Sequence, residues 1–84
     1  MTTAPSRAER LAARAVVLAI DPALTPHDLA ARLSRLADHS RVLLENALRR
    51  ITHRDPHGRS PANTRAALGL RLALAQHHDD LSPT

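Results

Sequence analysis

Thr25–Arg54, TPHDLAARLSRLADHSRVLLENALRRITHR, is the stretch whose reading decides the fold. It opens on a helix start, with Thr25 as the cap, Pro26 at the first helical position and Asp28 three residues after the cap. Leu29, Leu33, Leu36, Leu43, Leu44, Ala47 and Ile51 then make one apolar stripe at helical spacing, with Ser40 as its one polar member. Asp28–Arg32 and Glu45–Arg49 are acid-before-base pairs at four-residue spacing, each worth about 0.3 kcal/mol to a helix. No Gly or Pro falls between Leu33 and Val42, so the stretch reads as one long helix that stops at Asp55-Pro56. From Pro26 to His53 such a helix would run about 42 Å at ~1.5 Å per residue, more than a small domain covers alone. The alternative is two shorter helices with a turn near Ala37–Ser40.

Helical signals continue on either side. Ser6-Arg7-Ala8-Glu9 reads as a capping box, with Ser6 accepting from a first-turn amide and Glu9 reaching back. Leu11, Ala15 and Leu18 follow on one face, opposite a stripe of Arg7, Arg10 and Arg14, and Asp21-Pro22 ends the segment. After a His57-Gly58-Arg59 loop, Ser60 and Pro61 start a third segment that extends to about His77. Its leucines, Leu68, Leu70, Leu72 and Leu74, alternate as in a strand, but Ala, Leu and Arg are strong helix formers, so helix is the expectation. A helix apolar on two sides needs two partners, which makes Leu68, Leu70, Leu72 and Leu74 the candidate dimer interface. The predicted fold is all-α: a three-helix bundle with a long central helix, dimeric, over residues 6–78, with flexible tails at 1–5 and 79–84. As a strand, the third segment would instead be the wing of a winged helix-turn-helix.

Composition narrows the function classes. A chain of 84 residues makes one small domain of marginal stability. It has no Cys and no Phe, Tyr or Trp, so neither disulfides nor aromatic packing help, and self-association is an economical way to bury more surface. The absence of Cys fits a reducing, cytoplasmic location. The apolar run Ala15–Ile20 is too short for a membrane span or a signal-peptide core, and Glu9 fits a helix cap better than an Arg-rich transit peptide. Net charge is +4 with a pI near 11.5, carried entirely by Arg, whose fork suits phosphate and carboxylate. GC-rich coding bias would produce the same composition, so the charge alone is weak evidence for a nucleic-acid partner.

Within the two-helix reading, Asp28-Leu29-Ala30-Ala31-Arg32-Leu33 resembles the first helix of a helix-turn-helix, with Ala30 small enough for a close crossing. Ser40-Arg41-Val42 through Leu48-Arg49-Arg50-Ile51 resembles a recognition helix, capped by Ser40 and with Val42 packing inward. The resemblance implies duplex DNA as partner, read by Arg41, Asn46, Arg49 and Arg50 from the major groove. Arg32, His39, Asn46 and His53 recur every seven residues along one flank, with Arg35 nearby, so Arg32 and Arg35 join the candidate nucleic-acid residues. The gap between the two halves is about two residues longer than that motif's usual turn, which often holds Gly.

Other constellations are weaker. Arg59, Ser60 and Arg65 at a helix start are candidates for holding a phosphate or sulfate, though Pro61 removes one amide donor. The six His residues do not assemble a metal site: Pro56 separates His53 from His57, and His77-His78-Asp79-Asp80 lacks a third cluster. There is no Cys or Lys nucleophile and no Ser–His–acid arrangement, so no catalytic residue, cofactor or small-molecule substrate is expected. The sequence therefore predicts a non-enzymatic binding protein: a DNA-contacting regulator or accessory factor acting as a dimer or, in the competing class, a helical protein–protein module with no nucleic-acid role.

Overall fold

The computed structural model describes the backbone of residues 4–81 and the side chains of residues 4–77. The expected tails fall partly outside these residues, at 1–3 and 82–84. Among the described residues the fold is all-helical, with four helices rather than three: α1 (Arg7–Ala19), α2 (Pro26–Leu36), α3 (Arg41–Arg54) and α4 (Pro61–Leu81). No strand occurs among the described residues, so the alternating leucines of α4 do not form a wing.

The long central helix is replaced by a turn at Ala37–Ser40. The amide of His39 donates to Ser34 O (2.8 Å) and that of Asp38 to Arg35 O (3.0 Å), the paired bonds of a Schellman motif. That motif needs a left-handed residue just past the cap, and here Asp38 (φ 52) supplies it where Gly is usual; His39 (φ 57) follows in the same region. Ser40 then caps α3 by accepting from the Leu43 amide (3.3 Å). The break folds the stripe back on itself, and Leu29 and Leu33 before it and Leu44 and Ala47 after it all reach the same core. Leu36, placed in that stripe by its spacing, is left largely exposed.

Helices α1 and α4 pack on one another and each contacts both α2 and α3, whereas α2 and α3 scarcely meet. The helix-turn-helix reading expects these two helices to cross closely at Ala30. The turn is present, but Val42, expected to pack inward, is 65% exposed. Nine of the fifteen core residues are Ala, which lets the helix axes approach closely. At Gly69 of α4 the approach is too tight for a side chain: a Cβ would sit 2.7 Å from Cγ and Cδ2 of Leu29.

The caps show what holds the ends. Ser6 accepts from the Glu9 amide (3.2 Å), but the Glu9 carboxylate pairs with Arg50 (3.1 Å) rather than closing the expected box. Thr25 and Asp28 do form the reciprocal box. Glu45 pairs with Arg41 (3.0 Å) instead of Arg49, the reverse polarity of the expected pair. The C-terminal carbonyls of α1 have no basic residue in their own last turn. Arg65 of α4 instead donates to Ala19 O (2.7 Å) at that end and to Leu24 O (2.8 Å) in the loop beyond it, which locks the α1–α2 loop and offsets the negative end of α1.

Candidate functional site

The candidate anion site at Arg59, Ser60 and Arg65 is already filled, and by the chain itself. Asp55 closes α3 and its carboxylate accepts from the Arg59 amide (2.9 Å), the Ser60 amide (2.9 Å) and Asn63 Nδ2 (3.2 Å). These are the donors a phosphate would have used. The Ser60 and Arg59 amides, in that order, hold the Asp55 carboxyl below its usual 3.8, and the Asn63 side chain adds to the effect. Arg65 is committed to the α1 carbonyls and contributes nothing to an anion there.

The larger of two described concavities lies between α1 and α3. It is an open groove of 1320 Å³ that also touches Asn63 at the start of α4. Ala8, Ala12, Ala13 and Val16 of α1 and Leu43 and Ile51 of α3 give it an apolar lining. The rim is basic: Arg7 and Arg10 come from α1, and Arg49, Arg50 and Arg54 from α3. Asn46 and His53 add polar groups, and Glu9 is the one carboxylate among the described residues of the lining, already paired with Arg50. Arg10, Arg49 and Arg54 are exposed and make no ion pair among the described residues. A second, smaller cleft of 410 Å³ lies on the other flank of α1, lined by Arg7, Arg10, Leu11, Arg14 and Leu36. The Arg7 and Arg10 side chains therefore stand on a ridge between two clefts.

The sequence-selected residues divide. Asn46, Arg49 and Arg50 come together in the groove. Arg41 stands at the start of α3, exposed and tied to Glu45. Arg32 and Arg35 are exposed on α2, on a helix that scarcely meets α3. The seven-residue flank is cut by the turn, and His39 lies instead against His77, with ring centroids 5.7 Å apart. Of the four leucines assigned to a dimer interface, Leu70 is fully buried in the core. Leu72 and Leu74 pack partly against it, and Leu68 alone is classed as exposed.

Sequence reasoning missed Arg7, Arg10 and Arg54 as members of this site. In the sequence the α1 arginines form the polar stripe of a helix, and nothing local signals that α1 packs beside α3. No three His, Asp or Glu side chains come together among the described residues, and no helix among them is long and apolar enough to cross a membrane. Compared with the models of known protein families, with curated proteins and with solved structures, the chain matches none.

Proposed function

We propose that the protein is a non-enzymatic interaction module whose working surface is the groove between α1 and α3. One observation carries this reading: the groove combines an apolar lining from two helices with a rim of five arginines. At 1320 Å³ and open to solvent, it exceeds the ~300–1,000 Å³ of an enclosed small-molecule site. A surface of that size and shape suits a segment of a macromolecule. Selection of binders from a random library of peptides of ~16 residues, using the intact chain, tests this reading. Binders should compete with one another and lose about tenfold in affinity in the R49E/R54E variant. Binders indifferent to those two positions would remove the groove as the working surface.

A second reading, duplex DNA, draws on a different observation. The turn that a helix-turn-helix requires is present, and α3 exposes Arg41, Val42 and Arg49, a polar and methyl-bearing face of the kind that reads base edges. Its weakness is that α2 and α3 do not brace each other. Anisotropy of a labelled duplex at about 50 mM and about 200 mM salt separates the two readings, because phosphate binding falls steeply over that range. Self-association through α4 rests on Leu68 with Leu72, and light scattering that returns a 9.1 kDa particle would exclude it.

A further inference from the structure

We infer that the occupant of the α1–α3 groove is an acidic amphipathic helix contributed by another protein. This rests on the interaction-module reading and adds the chemistry of the partner. The groove is built from small side chains: Ala8 and Ala12 form its buried floor, with exposed Ala13 and half-buried Val16 beside them and half-buried Leu43 on the opposite wall. A row of small residues between two helices makes holes, and holes are filled by knobs of Leu, Met or Phe from a partner. This chain has leucines of its own but carries a net charge of +4, so a second copy would bring more arginine to a rim that already holds five, and the knobs come from another protein. A helix laid along such a groove anchors at i, i+3 or i+4, and i+7. Those eight residues, seven helical rises, span about 10 Å, within the ~20 Å length of α1 or α3.

Charge selects the flanks of that partner. Arg10, Arg49 and Arg54 stand on the rim with no carboxylate assigned to them in the described structure. Glu or Asp on either side of the apolar stripe would pair with them, and Arg forks take carboxylates two oxygens at a time. Nucleic acid fits this lining poorly. Ala and Val side chains donate nothing to phosphate, and no Phe, Tyr or Trp is present for a base to stack on. A basic helix would meet five arginines of its own sign.

The test uses a labelled synthetic helix of ~18 residues with Leu at i, i+4, i+7 and i+11 and Glu on the flanks, titrated by anisotropy into the intact chain. Three controls accompany it: the same peptide with Leu replaced by Ala, the same peptide with Glu replaced by Lys, and a duplex DNA. The expected result is micromolar binding, weakened about tenfold or more by loss of the leucines and abolished by the charge reversal. Ala13 lies on an exposed part of the groove wall, so Ala13→Gln should weaken binding about tenfold while leaving the unfolding midpoint unchanged. Arg49→Ala, also at the surface, should raise Kd and flatten its salt dependence. Amide shifts on titration should be confined to α1 and α3. Equal binding by the leucine-free peptide, or shifts elsewhere, would overturn the proposal. If library-selected peptides of other chemistry occupy the groove and the acidic helix does not, the partner class is wrong and the module reading stands. If only duplex DNA binds, both fail.

Discussion

Two connections of similar length, Ala37–Ser40 between α2 and α3 and Asp55–Ser60 between α3 and α4, reverse the chain in different ways. The second is written locally. Asp55 precedes Pro56, Gly58 takes φ +61, and the Asp55 carboxylate gathers the Arg59 and Ser60 amides. The first has neither Gly nor Pro, and it places two ordinary residues in the left-handed region. An L-residue there costs about 1–2 kcal/mol, somewhat less for Asp, and short-range bonds alone do not explain why the chain accepts it. The compensation is in the core: Leu33, Ala37 and Leu44 are all fully buried, and a straight helix could not bring both halves of the stripe to α1 and α4. One turn is imposed by its residues, the other by what its flanking helices bury.

The largest effect should come from removing that burial. Leu44→Ala deletes a fully buried side chain just beyond the turn and should cost about 2–5 kcal/mol in chemical denaturation. Against a typical stability of about 5–15 kcal/mol, that is a large fraction. If the first turn is held by the core, amide exchange at Asp38 and His39 should accelerate together with global unfolding. A variant in which those amides stay protected while α3 loosens would show that the turn is local after all, and the contrast would collapse.

Legibility follows the same division. The starts at Ser6, Thr25 and Ser60 and the stop at Asp55-Pro56 could be read because each is chemistry within a few residues, and all four hold. The break at Asp38 could not be read in the same way, since Asp stands where the motif usually shows Gly. The signals available were the tolerance of Asp for left-handed backbone and Ser40 as a cap, and both lost to an unbroken apolar stripe. At the site level, Asn46, Arg49 and Arg50 were selected and do share the groove, but their neighbours Arg7, Arg10 and Arg54 were not. Which helices lie side by side is a tertiary fact. At Ser60 the amides that an anion would use are taken for a local reason: a carboxylate four and five residues upstream is positioned to accept from them.

Smaller effects should come from the second turn. Gly58→Ala forces an L-residue to φ +61 and brings a Cβ within 3.2 Å of Thr64 Oγ1, so it should cost about 1–2 kcal/mol. Asp55→Asn weakens the acceptor that serves three donors and should lower the unfolding midpoint at neutral pH. Its pH dependence carries a definite sign. Because the Asp55 carboxyl titrates below its usual 3.8 in the folded chain, its contribution is complete above that value and is lost as pH falls through the lowered one. The gap between wild type and Asp55→Asn should therefore be constant near neutrality and close in acid. A gap that persists unchanged at the lowest pH would mean the charge of Asp55 is not what holds the loop.

The smallest effect has the opposite sign, and it probes the contrast most directly. His39→Gly relieves a left-handed L-residue, worth about 1–2 kcal/mol, at a cost of about 0.5–1 kcal/mol in unfolded-chain freedom. It also gives up the His77 contact, so a net gain of about 0–1 kcal/mol is expected. Asp38→Gly should gain less. Asp tolerates that backbone better than His, and the change deletes an exposed ion pair with Arg7 (2.7 Å) worth about 0–1 kcal/mol. Urea midpoints of the two variants, compared with Gly58→Ala, give three signs: His39→Gly up, Asp38→Gly near zero, Gly58→Ala down. If His39→Gly destabilises, the first turn is not paying a backbone cost to satisfy the core. The His39 side chain, lying between the turn and α4, would then be what fixes the bend.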